Sequence, residues 1–450
     1  MATLISNNKF GKRIKKAPVS LHLLVYLIML AVLGTLLQGC VDKCETTQTY
    51  TYYEPVYTSM DDLRDMVSVT EPESLQSPGK IYFKDGYLFI SEIGKGIHVI
   101  NDTDPSYPFN VAFISIPGTS DLSAKGNYLY ADSYIDLVVL DISSLDNIHE
   151  VNRVEGIFDN YNSYGYYADT ELGVVTGWKQ VDEIEVYEGN CDEANNDFYY
   201  RGGGLLALNN GIAVMEGTSF ASDLIGSNPG VGGSMATFTI YNDYLYTIND
   251  SELNVVDISV LGSPMMYAKQ YVGWGIETIF PYEDKLFIGS NSGMYIYDNS
   301  DPKNPTQISV YDHITSCDPV VVEGDYAYVT LRSGTECQGF TNQLEVVNIS
   351  DLTQPTLEAT YAMFNPHGLG IDNSTLFICD GAAGLKIYDA TDIYDIENNL
   401  KKHYGDLHAL DVIPLDHVLM MIGEDGISQY DYTDLDDIKF LSLIPVNTNN

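Results

Sequence analysis

The sequence predicts an all-β fold built from repeated four-stranded units. Three observations support this class. A short apolar strand recurs at intervals near 41 residues, a second strand with a polar end follows each recurrence, and no helical periodicity competes over most of the chain. An apolar fraction of 45%, with 38 Gly and 35 Tyr, is typical of a β-rich chain that buries a large core.

The first 39 residues predict a secretory leader. Residues 9–16 are basic, residues 21–37 form an apolar stretch, and Gly39-Cys40 follows. This order is typical of a signal peptide, whereas a transmembrane helix needs about 20 apolar residues. The Gly-Cys pair resembles the lipobox of bacterial lipoproteins, which implies that Cys40 becomes the lipidated first residue. A plain signal peptide or an uncleaved anchor is the alternative.

Residues 40–75 are predicted to be a tether and a short N-terminal segment. Residues 41–58 are polar and rich in Tyr. Ser59 precedes Asp61 and Asp62, and this pattern predicts a short helix over residues 59–67 with Ser59 as its N-cap.

Apolar strands recur seven times between residues 76 and 450. Their first residues are Tyr87, Tyr128, Tyr244, Lys285, Tyr326, Thr375 and His417. The intervals are therefore 41, 116, 41, 41, 49 and 42 residues. Further apolar runs precede and follow each pair of strands. Four short strands per unit of about 41 residues are typical of a β-propeller blade.

The interval of 116 residues indicates an insertion at about 159–233. Residues 172–176 lie where a further strand is expected, and residues 181–186 continue it as one long strand. Residues 188–233 are rich in Gly and Asn, which is typical of an irregular excursion. The prediction is seven regular blades in a propeller domain over residues 76–450, with a degenerate eighth blade inside the insertion as the alternative.

Several stretches resemble the LVIVD-repeat β-propeller lipoproteins of Bacteroidota, over about residues 50–445. They are Pro78-Gly79-Lys80-Ile81-Tyr82, Gly94-Lys95-Gly96-Ile97-His98-Val99-Ile100, Leu137-Val138-Val139-Leu140-Asp141, Gly273-Trp274-Gly275-Ile276-Glu277-Thr278-Ile279, Thr315-Ser316-Cys317-Asp318-Pro319 and Asn365-Pro366-His367-Gly368-Leu369-Gly370. The resemblance implies a propeller on the cell envelope, as an outer-membrane lipoprotein facing the periplasm or the cell surface. It implies no particular activity.

The charge balance argues against nucleic-acid binding. The chain has 63 Asp and Glu against 22 Lys and Arg, a net charge of −41. The leader contains five of the cations and no acid, so the remainder carries −46. Such a surface repels phosphate backbones.

Alternating strand direction divides the loops of a four-stranded blade between two faces. We call the face with the loops before the first strand and between the second and third strands the loop face, and the opposite one the turn face. The turn face receives recurring acidic turns such as those at 101–105, 298–302 and 431–434. Asp and Asn commonly bond backbone N–H groups two residues on. Turn chemistry is therefore predicted in preference to a ring of calcium sites, and no metal site is predicted.

The loop face does not repeat, which indicates a specialised surface on a uniform scaffold. Its candidate ligand-binding residues are Lys80, Lys95, Trp274, Glu277, Asp318, Arg332, His367 and His408. For Trp274, packing into the central channel is favoured over stacking on a sugar or peptide. Cys317 and Cys337 lie in two loops of this face in one blade, so a disulfide between them is predicted, with Cys379 as a rival partner.

The chain contains no Gly-x-Ser-x-Gly, His-Glu-x-x-His, P-loop or Cys-x-x-Cys motif. The leading hypothesis is therefore a monomeric, non-enzymatic binding module for a protein or glycan, acting through the loop face. The alternative is a cell-envelope hydrolase or lyase that uses His367, His408 and acids such as Glu277 or Asp318 at the channel mouth. The sequence specifies no cofactor.

Overall fold

The structure, a computed structural model, describes residues 43–158, 168–169, 171–190, 232–313, 319–334, 341–415 and 417–447, and six residues between 25 and 32. Those six are helical and exposed. Within the described parts of the chain, no helix has the length and apolar character needed to cross a membrane. Cys40, most of the predicted leader and residues 191–231 of the predicted insertion lie outside them.

Seven antiparallel blades of four strands form the body of the protein, as predicted, and one of their sheets gains a fifth strand. Blades 1 to 3 comprise β3 (Pro78–Lys84), β4 (Tyr87–Glu92), β5 (Gly96–Asn101) and β6 (Phe109–Ser115); β7 (Leu122–Lys125), β8 (Tyr128–Ser133), β9 (Asp136–Asp141) and β10 (His149–Val154); β13 (Phe238–Tyr241), β14 (Tyr244–Ile248), β15 (Glu252–Asp257) and β16 (Met265–Tyr271). Blades 4 and 5 comprise β17 (Ile276–Tyr282), β18 (Lys285–Ser290), β19 (Gly293–Asp298) and β20 (Thr306–Asp312); β21 (Val320–Glu323), β22 (Tyr326–Leu331), β23 (Gln343–Asn348) and β24 (Thr356–Ala362). Blades 6 and 7 comprise β25 (Leu369–Asp372), β26 (Thr375–Cys379), β27 (Leu385–Asp389) and β28 (Leu400–Tyr404); β29 (Ala409–Leu415), β30 (Val418–Gly423), β31 (Gly426–Asp431) and β32 (Lys439–Pro445). Two 3-10 helices, Leu145–Asn147 and Ile396–Asn399, lie between the third and fourth strands of blades 2 and 6.

The middle strands are apolar on both faces because each blade is covered by a blade on either side. In β9, for example, Leu137 to Leu140 are all at most 1% exposed. The outer strands alternate instead, as in β16, where every second residue is exposed. The apolar clusters therefore lie between neighbouring blades.

Blades 2 and 3 pack directly against each other. One apolar cluster joins Leu137 and Val139 of blade 2 to Phe238 and Ile240 of blade 3. The ring closes in the same way, through a cluster that joins Ile81 and Ile90 of blade 1 to blade 7. The described residues therefore contain seven blades, and the position at which an eighth would stand is closed.

Ahead of blade 1, the predicted short helix is present as α1 (Met60–Asp65). The Ser59 hydroxyl accepts a hydrogen bond from the Asp62 backbone N–H (3.2 Å) and so caps the helix. Leu63 is buried, and Arg64 donates through Nε to Asp136 Oδ2 of blade 2 (2.9 Å). The next strand, β2 (Ser68–Thr70), pairs with β6 as a fifth strand of blade 1.

Residues 43–58, predicted as a tether, form β1 (Lys43–Thr58). It pairs with β12 (Gly173–Asn190), which pairs in turn with β11 (Ala168–Asp169). The prediction of one long strand through residues 172–186 is confirmed by β12.

The chain divides into two compact units. The first contains Met1–Glu54 and Gln180–Gly211, and in its described part Thr51 Oγ1 donates to Asp182 Oδ1 (2.7 Å). The second contains Pro55–Lys179 and Ile212–Asn450, and the seven blades lie within it.

On the turn face, the acidic turns have the predicted hydrogen bonds. In every blade, the Asp or Asn that ends the third strand accepts the backbone N–H two residues on. The accepting residues are Asn101, Asp141, Asp257, Asp298, Asn348, Asp389 and Asp431. The backbone bond from Ser300 holds the pKa of the Asp298 carboxyl below its ordinary value, and the Thr433 side chain and backbone N–H do the same for Asp431.

Candidate functional site

Of the candidate residues, Lys80 and Glu277 lie near the starts of first strands, Trp274, His367 and His408 lie just before first strands, and Lys95 and Arg332 lie between second and third strands. Asp318, Cys317 and Cys337 lie outside the described residues, so the disulfide stays a prediction. Cys379, the alternative partner in that predicted disulfide, is a buried free cysteine in β26. Burial raises the pKa of its thiol.

Lys80 is buried rather than available to a ligand; it is 6% exposed. Its Nζ lies 3.8 Å from Asp121 Oδ2 of blade 2 and donates to the Met235 carbonyl (3.1 Å). Burial lowers the pKa of Lys80, while the carboxylates of Asp121, Asp411 and Asp132 oppose that effect. Lys80 is therefore part of an internal ionic network, which corrects its assignment to the ligand-binding surface.

The residues that directly follow the predicted insertion complete this network. Ser234, 1% exposed, donates to Asp411 Oδ1 of blade 7 (3.2 Å) and accepts from the Leu369 backbone N–H of blade 6 (3.0 Å). Asp121 Oδ2 receives the backbone N–H groups of Thr237 and Phe238 (2.8 and 3.1 Å). One short segment thus bonds to side chains or backbone of blades 1, 2, 6 and 7. We call residues 234–237 the plug. They bond to residues at or near the starts of the first, inner strands of these four blades.

Within the network, Asp411 has an unusual environment. It is fully buried, which raises the pKa of its carboxyl well above the ordinary value. A Cβ on Gly368 would stand 1.7 Å from Asp411 Oδ1, so only glycine fits there. The backbone at Gly368 therefore approaches the Asp411 carboxylate more closely than any residue with a side chain could.

Irregular pairing in the first strands of three blades sets the direction of several of these side chains. The register shifts between Pro78 and Ile81 in β3, between Ile276 and Thr278 in β17, and between Ala409 and Asp411 in β29. Such bulges redirect side chains at strand ends. Lys80 and Glu277 both lie in these interruptions, and Glu277 is half-buried.

His367 and His408, on neighbouring blades, are brought together as expected. Their ring centroids are 6.1 Å apart in an edge-to-face arrangement. His367 is 2% exposed, and the Asn365 side-chain amide lies 3.1 Å from its Nε2. Burial, with the charges of Arg332 and His408, lowers the pKa of His367 to about 3. His367 is therefore neutral at physiological pH.

His408 is the more accessible of the two. Its Nδ1 lies 2.5 Å from Glu424 Oε1, and its side chain is 21% exposed. The Glu424 carboxylate thus contacts His408, while His367 Nε2 faces Asn365. Among the described residues, no group of three or more His, Cys, Asp or Glu side chains is arranged to hold a metal ion.

Asp380 positions the loop that precedes His367. It is fully buried, accepts the backbone N–H groups of Phe364 and Asn365 (3.0 and 2.7 Å), and forms an ion pair with Lys386 (2.5 Å). Phe364 is consequently held at the surface with 63% of its area exposed. The sequence analysis did not single out Phe364.

Trp274 is 73% exposed, so the expectation that it packs into the channel is wrong. Its loop is tightly fixed. Gly275 has a φ of 67°, and a Cβ there would stand 2.2 Å from the Asn291 side chain. A Cβ on Gly273 would stand 2.2 Å from the Tyr295 hydroxyl. The two glycines therefore let the loop lie against blade 4 while the indole points outward.

Lys95 also lies at the surface. Its side chain is 54% exposed, and its Nζ donates to Gln76 Oε1 (2.8 Å) and lies 3.7 Å from Glu92. The loop face thus presents Lys95, Trp274, Phe364 and His408, while Lys80 and His367 are buried beneath it.

Ser234 and Asp411 were not predicted from the sequence. One signal was present. Asp121 directly precedes β7 and Asp411 is the third residue of β29, and each accepts the next residue's backbone N–H (2.7 and 2.8 Å). An acid followed directly by the apolar residues of a first strand could have indicated a carboxylate that points into the protein.

Three stretches of the sequence, residues 118–155, 232–269 and 316–363, match the LVIVD repeat. The chain contains LVIVD repeats. The matches coincide with blades 2, 3 and 5, so one LVIVD repeat corresponds to one four-stranded blade. Among curated proteins, none matches the sequence.

Solved structures share the architecture. The chain is similar to a protein from Lactobacillus plantarum, with a TM-score of 0.50, 14% identity and coverage of 82% of this chain and 97% of that one. It is also similar to BamB from Moraxella catarrhalis (TM-score 0.43, 8% identity, 86% and 97% covered) and to Sqt1 from Saccharomyces cerevisiae (0.46, 8%, 82% and 88%). At these identities the likeness concerns the fold alone.

Proposed function

We propose that this protein is an envelope-anchored lipoprotein whose propeller binds a protein or glycan ligand through the loop face. One observation carries the proposal. The loop face holds Trp274 outward on a tightly packed loop, and the loops that enter blades 6 and 7 present Phe364 and His408 on the same face. Exposed aromatic side chains on fixed backbone are the usual anchors of protein and sugar binding.

The contacts made by the plug favour a ligand site at the exposed surface of the loop face over one among the buried polar groups. Lys80, Asp121 and Asp411 are buried and contact one another or residues 234–237, so these polar groups stabilise the fold rather than bind a ligand. The groups left at the surface, Lys95, Trp274, Phe364 and His408, combine charge with aromatic rings, which suits contact with a protein or glycan ligand.

Trp274→Ala tests the site, and Trp178→Ala is its matched control. Trp178 is the other tryptophan of the chain and is also exposed (55%), but it lies on β12. Against a ligand found on a glycan array or by cross-linking to envelope proteins, Trp274→Ala should weaken binding about 10- to 100-fold, as loss of an aromatic anchor does. Thermal unfolding should be unchanged in both variants. Equal binding by wild type and Trp274→Ala would remove the loop face from the proposal.

Cys40→Ala tests the anchor. If Cys40 is lipidated, the variant should move from the membrane fraction to the soluble fraction, because the acyl chains supply the membrane affinity. Metabolic labelling with a fatty-acid analogue should mark the wild type and not the variant. Cys44→Ala, four residues along, is the control and should remain in the membrane fraction. Unchanged fractionation of Cys40→Ala, with normal leader removal, would contradict the anchor.

A hydrolase or lyase is the second candidate, favoured by the contact between His408 and Glu424 beside the neutral His367. A carboxylate that orients a histidine suits general base catalysis. Screening the purified protein against ester, glycoside and polysaccharide substrates, with His408→Gln in parallel, tests it. Activity that the variant retains in full would not come from this pair.

A further inference from the structure

The junction between the first and last blades contains a buried carboxyl–amide contact. Asp102 follows β5 of blade 1 and is 2% exposed, and Gln429 lies in β31 of blade 7 and is fully buried. Gln429 Nε2 donates to Asp102 Oδ1 at 2.6 Å. The two residues are 327 positions apart in sequence, so this contact joins the two ends of the ring.

Each partner has one polar atom left over. Among the buried side-chain atoms of the described residues, Asp102 Oδ2 and Gln429 Oε1 both lack a hydrogen-bond partner. A carboxylate oxygen and an amide oxygen are both acceptors and cannot satisfy each other, and a buried polar atom without a partner costs about 1–3 kcal/mol. A single proton on Asp102 Oδ2 satisfies both, because the carboxyl O–H then donates to the amide oxygen.

We propose that Asp102 is carried as the neutral acid and forms a two-bond acid–amide pair with Gln429, a proton-dependent latch between blade 7 and blade 1. Burial raises the pKa of Asp102 to about 6, the Gln429 amide opposes this effect, and Asp104 adds to it.

The surroundings supply no compensating cation. The charged groups of the turns on either side of this contact are Lys84, Asp85 and Asp104 of blade 1, and His417, Asp431, Asp434, Asp436, Asp437 and Lys439 of blade 7; Glu92 and His98 lie further along β4 and β5 and pair with each other. Lys84 pairs with Asp85. Of these groups, Asp104 acts electrostatically on Asp102, and it is itself a carboxylate. Proton uptake is therefore the available way to satisfy the pair.

The direction of the pH dependence follows from the raised pKa. Below the ordinary value of 3.8, Asp102 is protonated in the folded and the unfolded chain alike, and the latch is fully formed. Between 3.8 and about 6 the folded chain holds a proton that the unfolded chain releases. The latch is therefore lost as the pH rises through about 6, and the ring closure loosens above that value.

Two measurements on the intact mature protein test the latch. In a carbon NMR titration of the side-chain carboxyls, Asp102 should titrate near 6, about two units above 3.8. In hydrogen exchange, corrected for intrinsic rates, amides of β5 and β31 should exchange at least several-fold faster at pH 8 than at pH 5. Asp102→Asn should remove that difference, because its amide donates to Gln429 at every pH.

Asp104→Asn is the control, since it changes an exposed acid of the same turn and should keep the pH-dependent exchange. A titration midpoint of Asp102 at or below about 4.5 would overturn the latch. So would an Asp102→Asn protein that keeps the wild-type pH dependence at β5 and β31. If Asp102→Asn does not fold, the titration of the wild type decides alone.

Discussion

Lys80→Met is expected to lower the free energy of unfolding at pH 7.5 by about 3–5 kcal/mol, the usual cost of leaving a buried charge without its partner. Lys80 Nζ is the cation beside Asp121, and it also holds the Met235 carbonyl of the plug. Methionine fills similar space without the charge, so the loss reports the network rather than a cavity. Urea denaturation followed by tryptophan fluorescence and circular dichroism measures it.

Lys95→Met is the matched control. Both lysines lie on the loop face of blade 1, but the Lys95 side chain is 54% exposed and its ion pair with Glu92 spans 3.7 Å. Its removal should cost less than about 1 kcal/mol, because water screens an exposed pair. An equal, small loss for both variants would show that the Lys80 network contributes no net stability.

Asp136→Asn is expected to lower the free energy of unfolding by about 2–3 kcal/mol, the range for charge-assisted hydrogen bonds. Asp136 is fully buried and is contacted by Arg64 Nε (2.9 Å), by an Arg153 guanidinium nitrogen (3.3 Å) and by the Gly156 backbone N–H (2.9 Å). Asparagine keeps the shape but loses the charge. Limited proteolysis should then cut near α1 faster than in the wild type.

Glu155→Gln controls for that effect. Glu155 also contacts Arg64 (3.0 Å), but its side chain is 64% exposed, so the substitution should cost less than about 1 kcal/mol. Unchanged proteolysis of Asp136→Asn at α1 would show that Leu63 and the helix cap hold this segment without the ion pair.

The periodic parts of the fold were predictable from sequence. The interval of about 41 residues and the polar ends of the third strands depend on local chemistry, which each blade repeats. Asp298 and Asn348, for example, bond to backbone only two residues away. The cap at Ser59 is equally local. Patterns of this kind carry their structural cause within a few residues.

The functional face was predictable as a surface but not residue by residue. Lys80 was interpreted as a surface cation because cations are scarce in this chain, yet residues more than 150 positions away bury it. For Trp274, packing into the channel was favoured over stacking on a ligand, yet the indole is exposed beside Gly275, whose φ is positive. Both outcomes depend on contacts between distant segments, which no local pattern records.

The order of the blades along the chain has a consequence for folding during translation. Neighbouring blades otherwise follow one another along the chain, but blade 1 meets blade 7 through residues 327 positions apart, beside a bridge between Leu75 and Val446. A chain made from its N-terminus therefore completes blade 1 while the apolar side chains Ile81, Leu88 and Ile90 still await their cover. Incomplete chains should expose this surface, so a premature stop late in the message would yield an aggregation-prone product rather than a smaller working ring.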